Sequence, residues 1–385
     1  MSPLPPKLLD SPITVSPVRD SRDLEVFIDL PWEIYAESEM WVPPLKNDVR
    51  DILTEKNPFW QHAEKELFLA KLGGRVVGRC AAIADQVYVD FHEEKCGFFG
   101  FFECIDDKAV AVALITAARE WLAKKGMLMM RGPASPSFNE ECGILVEGFD
   151  DPPAILMPYT LSYYPALLEA AGLHKAKDLL SYTIPTGNPI PPRIEKMAAR
   201  VSRNGNISVR SMRKNRWDDE LKIVRDIYNE AWEKNWGFTP MTSEELDLMA
   251  ENLKPILDPE AVHFVEVDGA VVAFSIMLPD VNQVLKHLNG KLGIWEMLKF
   301  FYYYRKIDRL RLVTLGVKKE FRGRGFEVLL YRETWITARR KGWVNAELGW
   351  ILEDNDKMNR GMEALTGRVY KIHRIYEQQL PQSGE

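Results

Sequence analysis

The sequence predicts an α/β fold made of two similar halves in tandem. Its 385 residues are enough for two domains of ordinary size. Three pairs of segments also resemble each other at a spacing of 194 or 195 residues, close to half of the chain. The pairs are ITVSPVR (13–19) with ISVRSMR (207–213), GRVVGRCAAIAD (74–85) with GAVVAFSIMLPD (269–280), and LEAAG (168–172) with EALTG (363–367). We therefore expect domains at residues 1–186 and 187–385.

The predicted elements follow the same order in both halves. Each half begins with a short strand of alternating polarity and continues with a helix, a hairpin, a strand and a long helix that ends at a glycine. A further strand, a helix and a last strand complete each half. The matched elements are the strands Thr14–Val18 and Ile207–Met212, the helices Ser21–Tyr35 and Trp217–Lys234, the turns Gly73-Gly74 and Asp268-Gly269, and the long helices Lys108–Lys125 and Phe326–Lys341.

The segment GVKKEFRGRGFEVLLY (316–331) joins the predicted strand Arg309–Val317 to a helix. A strand, a glycine-rich turn and a helix start bring several backbone amides to one point, where they bind phosphate groups. Gly323 and Gly325 permit close backbone approach, and Arg322 and Arg324 add charged donors. The spacing is neither GxGxxG nor that of a Walker A loop.

A strand followed by R-x-x-G-x-(G/A) and a helix resembles the acyl-CoA loop of the GNAT superfamily of N-acyltransferases. The resemblance extends to AELGWILEDN (346–355), which is similar to the superfamily's next strand, and its element order covers nearly the whole chain. It implies that each half is a mixed, mostly antiparallel twisted sheet flanked by helices. It also implies an acyl, most simply acetyl, transfer from acetyl-CoA or another acyl-CoA to a small-molecule or peptide amine. The implied cofactor-binding residues are Leu315, Gly316, Val317, Arg322, Gly323, Arg324, Gly325, Phe326 and Asn355.

The sequence departs from the superfamily pattern in three places. Glu327 stands where the loop usually has glycine or alanine, and a carboxylate there repels a pyrophosphate unless its side chain turns to solvent. Met362 stands seven residues after Asn355, where members of the superfamily often have a tyrosine that acts as the general acid toward the thiolate. In the first half, Asp106-Asp107 replace the glycines and arginines, so we expect that half to bind no CoA.

Acyl transfer to an amine needs a base, a donor for the oxyanion and a proton for the thiolate. Glu347, an acid in an apolar strand, is the candidate base, and a structural ion pair with Arg311 or Arg374 is the simpler interpretation. The resemblance assigns the oxyanion donor to a backbone amide near 315–317. Tyr331 is the candidate acid, although spacing alone does not distinguish it from Tyr370 and Tyr376.

Composition and charge narrow the functional classes. The net charge of −6 does not favour nucleic acid, and the basic run 193–216 lacks interleaved aromatic residues, so we interpret it as a solvated linker face. We find no signal peptide and no membrane-spanning stretch, and expect a cytoplasmic protein. The six histidines show no metal-ligand spacing, so no metal is expected. The cysteines, interpreted as reduced core thiols, are Cys80, Cys96, Cys104 and Cys142.

The second half carries an insertion, residues 281–309, with an apolar helical face. Trp295, Leu298, Phe301 and Tyr302 share that face, which either packs in a core or forms the wall of an apolar acyl or acceptor pocket. Two other functions stay open. Glu327 and Met362 suit a catalytically inactive protein that binds a ligand or a protein partner, and the tandem arrangement also occurs in aminoacyl-tRNA-dependent transferases.

Overall fold

The structure is a computed structural model that describes residues 11–203, 205–233 and 235–381. Its residues group into two compact units. The first unit lies within Met1–Leu179, Leu288–Glu296 and Lys371–Glu385, and the second comprises Leu180–His287 and Met297–Tyr370. The domain boundary predicted between residues 186 and 187 stays a prediction.

The first unit contains a sheet with the strand order β1-β2-β3-β4-β5-β15, and β8 also pairs with β15. Its strands are β1 (Ile13–Pro17), β2 (Ala63–Leu72), β3 (Arg75–Asp85), β4 (Cys96–Cys104), β5 (Met129–Gly132), β6 (Ala134–Ser135), β7 (Glu141–Cys142), β8 (Ile144–Glu147) and most of β9 (His174–Ile184) and β15 (Arg368–Gln379). Its helices are α1 (Ser21–Ile34), α2 (Lys46–Leu53), α3 (Gln86–His92), α4 (Lys108–Lys124) and α5 (Tyr164–Ala170).

The second unit contains strands in the order β14-β13-β12-β11-β10. These are β10 (Ile207–Ser211), β11 (Val262–Val267), β12 (Ala270–Pro279), β13 (Arg309–Val317) and β14 (Asn345–Leu352). Its helices are α6 (Pro192–Ser202), α7 (Trp217–Trp232), α8 (Ser243–Leu253), α9 (Asn282–Leu285), α11 (Phe326–Lys341) and α12 (Asp356–Ala364). Helix α10 (Ile294–Tyr304) has its first turn in the first unit and the rest in the second.

Both units use the same sheet directions, which confirms the predicted fold class. Among the strand pairs named above, each unit has one parallel pair, β4 with β5 in the first and β13 with β14 in the second, and the other pairs are antiparallel. The long helix of each unit, α4 or α11, connects the two strands of that parallel pair. A parallel pair needs such a crossover because a hairpin turn can join only antiparallel strands.

The predicted turns and caps are confirmed. Gly73 and Gly74 have φ of 56° and 84° in the first hairpin, and Asp268 and Gly269 have φ of 51° and 82° in the second. Two consecutive residues with positive φ form the turn that matches the twist of antiparallel strands. Helix α11 ends at Gly342, whose φ of 79° gives the left-handed cap.

Each sheet buries one face against its long helix. Val110, Leu114, Ala118 and Leu122 of α4 are 0% exposed and pack in the first unit's core. In the second unit, Leu329 and Leu330 of α11 pack with Val265, Val272 and residues of α6. The four cysteines are all buried, as their interpretation as core residues predicts.

The interpretation of the basic run 193–216 as a linker face needs correction for its first part. Residues 192–202 form helix α6, whose Ile194 and Ala198 are each 3% exposed. The helix packs against α11, and Arg332 Nε donates to Glu195 Oε2 at 2.8 Å. The charges that suggested a solvated segment lie on the outer face of an amphipathic helix.

Candidate active site of the second unit

Strands β13 and β14 separate partway along their length. Their parallel register runs from Arg309–Asn345 to Leu312–Leu348 and then stops, although both strands continue. On the other side, β13 stays paired with β12 as far as Val317, apart from one irregularity between Leu312 and Thr314. An extra residue in one strand bends it and increases the local twist. The bulge at Val313 therefore accompanies the opening between β13 and β14.

Two backbone amides of β13 point into this opening. The Lys318 amide donates to the Val272 carbonyl of β12 at 3.0 Å. Successive residues of a strand direct their amides to opposite sides, so the amides of Leu315 and Val317 point away from β12. The buried hydroxyl of Thr314 also has no hydrogen-bond partner among the described residues. The opening is lined by donors, which suits a carbonyl or an amide-bearing ligand.

The loop after β13 presents further donors. Gly323 and Gly325 have φ of 76° and 85°, and Gly325 is the residue directly before α11. Within the described ranges, no acceptor is bonded to the five amides from Gly323 to Glu327. A cluster of unbonded amides at the start of a 16-residue helix is a site for an anionic oxygen. The residues present therefore fit the pyrophosphate of an acyl-CoA.

The two arginines of the loop behave differently. The guanidinium of Arg322 donates to the carbonyls of Glu230 at 2.7 Å, Ala231 at 3.3 Å and Val317 at 3.3 Å. It ties the loop to the end of α7. Arg324 is exposed, and its guanidinium lies 5.0 Å from the ring centre of Phe321. Of the two arginines, Arg324 is thus the one that remains available to a phosphate.

Glu327, the residue that departs from the superfamily pattern, lies in the first turn of α11. Its side chain is 23% exposed, and one carboxylate oxygen lies 4.0 Å from Nζ of Lys357. The lysine partly neutralises the carboxylate, so its repulsion of a bound phosphate is reduced. The negative charge of Glu327 also affects Tyr331, whose pKa is raised mainly by burial and further by Glu327.

Glu347 belongs to a buried polar cluster. It is 1% exposed, its Oε1 lies 3.5 Å from Nε of Arg311, and the Tyr370 hydroxyl donates to its Oε2. Arg311 also donates from Nη2 to the Gly349 carbonyl at 3.0 Å. Arg311 and Glu347 are register partners in β13 and β14, one pair before the register ends at Leu312–Leu348. Glu347 is thus both a member of an ion pair and the candidate base, and it lies at the mouth of the opening.

The remaining predicted residues have local roles. Asn355 begins α12, and its side chain accepts from the Met358 amide at 3.2 Å, as a helix cap does. Tyr331 is 8% exposed and lies in α11, where its hydroxyl has no hydrogen-bond partner among the described residues. Gly316 is packed on its α7 side, because a Cβ there would lie 2.7 Å from Phe274 and 3.2 Å from Trp232.

The corresponding helix start in the first unit is already filled. The carboxylate of Asp107 accepts from the amides of Ala109 at 2.7 Å and Val110 at 3.2 Å at the start of α4. The opening beside β4 is closed too, since a Cβ on Gly100 would lie 1.7 Å from the Ala134 carbonyl oxygen. A carboxylate at this place leaves little room for a phosphate.

Sequence reasoning missed the role of Glu230. Its carbonyl accepts from Arg322, and its carboxylate accepts from the Lys319 amide at 2.6 Å, so it holds the loop at two points. The partners lie about 90 residues apart along the chain, and Glu230 carries no motif. Among the residues that the structure describes, no group of three metal-ligating side chains could hold a metal ion.

Solved structures with a similar fold include GNAT proteins. A tandem GNAT protein from the clavulanic acid biosynthesis pathway matches 96% of this chain and 98% of its own, with a TM-score of 0.55 and 14% identity. A glucosamine N-acetyltransferase region of a fungal multi-domain β-N-acetylglucosaminidase matches 96% of this chain and 38% of its own, with a TM-score of 0.56 and 14% identity. The fold is therefore that of two GNAT-type domains in tandem.

Curated relatives are similar along almost the whole chain. A bacterial ceramide synthase of Caulobacter vibrioides is 37% identical over 377 residues, covering 96% of this chain and 98% of that protein. Protein YghO of Escherichia coli K12 is 33% identical over 368 residues, with 94% of each chain covered. The chain belongs to the family that these two proteins represent. No protein-family model matches it.

Proposed function

We propose that this protein is an N-acyltransferase that moves a long-chain acyl group from acyl-CoA to the amine of a long-chain amino alcohol. The observation that supports this proposal most is the opening between β13 and β14, which is lined by hydrogen-bond donors. The loop that follows β13 adds the five unbonded amides of Gly323–Glu327. An acyl-CoA presents a pyrophosphate and a thioester carbonyl, and these two groups need such donors.

The nature of both substrates is inferred from the relatives. The Caulobacter relative is named a ceramide synthase, and a ceramide is a long-chain amino alcohol with a fatty acid in amide linkage. The proposal therefore replaces the simplest sequence expectation, an acetyl group, with a long acyl chain. It keeps the predicted reaction class, transfer from a thioester to an amine.

The amides of the chain have two roles in this proposal. Those of residues 323–327 and the guanidinium of Arg324 bind the pyrophosphate. The Leu315 amide, which points into the opening, donates to the thioester carbonyl oxygen as it becomes negatively charged. One such donor in a site without water contributes about 3 kcal/mol to the transition state.

The cluster around Glu347 is proposed to accept the proton of the attacking amine. Tyr370 is partly exposed, whereas Glu347 is buried. Because the tyrosine hydroxyl donates to the carboxylate, the hydroxyl can take the amine proton as its own proton passes to Glu347. Arg311 holds the carboxylate in place. Tyr331 remains the proposed proton donor to the thiolate.

Product analysis tests the proposal. The purified chain is mixed with palmitoyl-CoA and sphinganine, and mass spectrometry measures the N-acyl product and free CoA. The loop variant Arg324→Glu reverses one charge at the cradle, and Arg339→Glu makes the same change at the exposed far end of α11. We expect Arg324→Glu to weaken acyl-CoA binding by roughly tenfold or more and Arg339→Glu to leave it within about twofold. Equal effects of both variants would contradict the site.

A catalytically inactive binding protein is the second candidate. Arg322 is occupied by carbonyls of the chain, Glu327 borders the cradle, and Met362 is 1% exposed and cannot donate a proton. This candidate predicts that Glu327→Gln tightens CoA binding without producing any amide product. An amide product from the unmodified chain, formed faster than in a protein-free control, eliminates it.

A further inference from the structure

Helix α10 is apolar and exposed along its length. Nine of its eleven residues in the sequence IWEMLKFFYYY are aliphatic or aromatic, yet no residue of the helix is buried. The exposed fractions are 84% for Ile294, 74% for Trp295, 59% for Leu298, and 58% each for Phe301 and Tyr302. Single exposed apolar residues are common on proteins, but a continuous group of five large ones marks an interaction site.

These five side chains form one face. At 100° per residue they fall within an arc of roughly 120° around the helix axis. The opposite side faces another segment of the chain, because the ring of Tyr303 stacks on His287 with the ring centres 3.7 Å apart. On the same side, Phe300 and Tyr304 stack on each other within the helix at 5.5 Å. The helix therefore presents its five most exposed side chains on one side and its half-buried residues Phe300, Tyr303 and Tyr304 on the other.

The chain that enters the helix is also held by contacts. Trp32 Nε1 donates to Asn289 Oδ1 at 3.0 Å, and the Lys46 amide donates to the Gly290 carbonyl at 3.1 Å. A Cβ on Gly290 would lie 2.4 Å from the Trp32 ring, so this approach requires glycine. The exposed face is thus carried by an anchored segment of the chain.

The surroundings of the apolar face are positively charged. Residues 286–306 contain five cations and one acid, although the whole chain carries a net charge of −6. The cations are Lys286, Lys291, Lys299, Arg305 and Lys306. These charges also affect His287. Its pKa is lowered, mainly by burial and to a smaller extent by the positive charges of Lys286, Lys299 and Lys306.

A bilayer surface has the chemistry that matches this combination. Tryptophan and tyrosine prefer the boundary between headgroups and acyl chains, and lysine and arginine are attracted to anionic lipid. An eleven-residue helix is far too short to cross a bilayer, and none of the described helices is long and apolar enough to do so. A helix of this kind lies in the plane of the interface with its apolar face buried.

We propose that α10 docks the protein onto the surface of an anionic lipid bilayer, with Trp295, Leu298 and Phe301 inserted among the acyl chains and the flanking cations against the headgroups. The proposal concerns helix α10, none of whose residues was assigned to the β13–β14 opening or to the loop after β13, and it does not depend on acyl transfer. It goes beyond the proposed function by adding a lipid surface as a binding partner.

Flotation with vesicles tests the docking. The full chain is mixed with vesicles of pure phosphatidylcholine or with vesicles in which about a third of the lipid is phosphatidylglycerol. The fraction of the protein that floats with the vesicles is then measured. The variant Trp295→Ser, Leu298→Ser, Phe301→Ser removes the face. The matched control, Phe91→Ser with Leu128→Ser, replaces two apolar residues that are 41% and 46% exposed elsewhere. We expect anionic vesicles to float the wild type and the control, and binding by the triple variant to fall by roughly tenfold or more.

The charge reversals Lys291→Glu and Lys299→Glu provide a second arm. Each should weaken binding to the anionic vesicles by roughly fivefold, with little effect on neutral ones. The proposal is overturned if the wild type does not float with anionic vesicles, or if the triple variant floats equally well. It is also overturned if the face mediates a concentration-dependent dimer that the triple variant abolishes while lipid binding persists. Acyl transfer assayed in detergent reports separately on the active site, so the two proposals can fail independently.

Discussion

Replacing Glu347 by leucine should show the cost of removing one member of the buried ion pair at the mouth of the site. Arg311 is 4% exposed, and the leucine variant leaves its guanidinium with the Gly349 carbonyl but without this carboxylate. Removing one member of a buried ion pair costs about 3–5 kcal/mol. The retained hydrogen bond to Gly349 places the expected loss near the lower end, about 3 kcal/mol.

The double variant Arg311→Met, Glu347→Leu removes both charges and should recover all but about 1–2 kcal/mol of the wild-type stability. Urea unfolding followed by circular dichroism measures both values, with a constant m-value as the check that the compactness of the unfolded state is unchanged. The reasoning is refuted if the leucine variant loses less than about 1 kcal/mol, or if the double variant is no more stable than it.

The same pair of variants separates the structural role of Glu347 from the proposed catalytic one. If Glu347 only balances Arg311, acyl transfer should return in the double variant together with stability. If Glu347 accepts the amine proton, the double variant should stay roughly a hundredfold or more below the wild type. Glu347→Gln, which keeps the shape, should show the same kinetic loss at a smaller cost in stability.

Three further predictions concern stability. Burial lowers the pKa of His263 in the folded protein to about 4. As the pH falls, this histidine is therefore protonated in the unfolded chain before it is protonated in the folded one, which favours unfolding. His263 should thus reduce the free energy of unfolding by about 2 kcal/mol at pH 5 relative to pH 8. His263→Gln should remove this loss in urea titrations at the two pH values, whereas His174→Gln, at a mostly exposed histidine, should not. Gly316→Ala should cost about 1–3 kcal/mol in thermal unfolding, because its Cβ would lie 2.7 Å from the ring of Phe274. Asp107→Ala should cost about 1 kcal/mol of stability, because it removes the cap of helix α4. In calorimetry this variant should bind no CoA at the start of α4.

The local parts of the site were predictable from the sequence. The strand Arg309–Val317 and the helix Phe326–Lys341 have the predicted bounds, because the β-branched and apolar content of the strand, the glycines and the helix start are all local signals. The positive φ of Gly323 and Gly325 follows from the same segment. The ion pair between Arg311 and Glu347 was one of two alternatives that the sequence offered, since both partners lie in predicted strands.

Long-range partners were not predictable. Arg322 was expected to contact phosphate, yet its guanidinium bonds to the carbonyls of Glu230 and Ala231, which no local pattern connects to it. The last strand, β15, pairs with β5 of the first unit, where Tyr376 is opposite Gly132. Such pairings join segments more than 200 residues apart, and the strand pattern fixes which residues face inward but not which strand is the neighbour.

The exposed face of α10 shows a different limit. The spacing of Trp295, Leu298 and Phe301 correctly indicates one helical face. The same spacing serves a core, a pocket wall or an exposed surface, because periodicity reports which side is apolar and not what covers it. Only the structure shows that more than half of each of these side chains is exposed.

Hydrogen exchange of the loop amides tests the central claim most directly. The amides of Gly323–Glu327 are unbonded within the described chain, so they should exchange rapidly in the free protein. Saturating palmitoyl-CoA should slow exchange in peptides that contain these residues and leave the start of α4, capped by Asp107, unchanged. Unchanged exchange at residues 323–327, with protection elsewhere or nowhere, would contradict the acyl-CoA site.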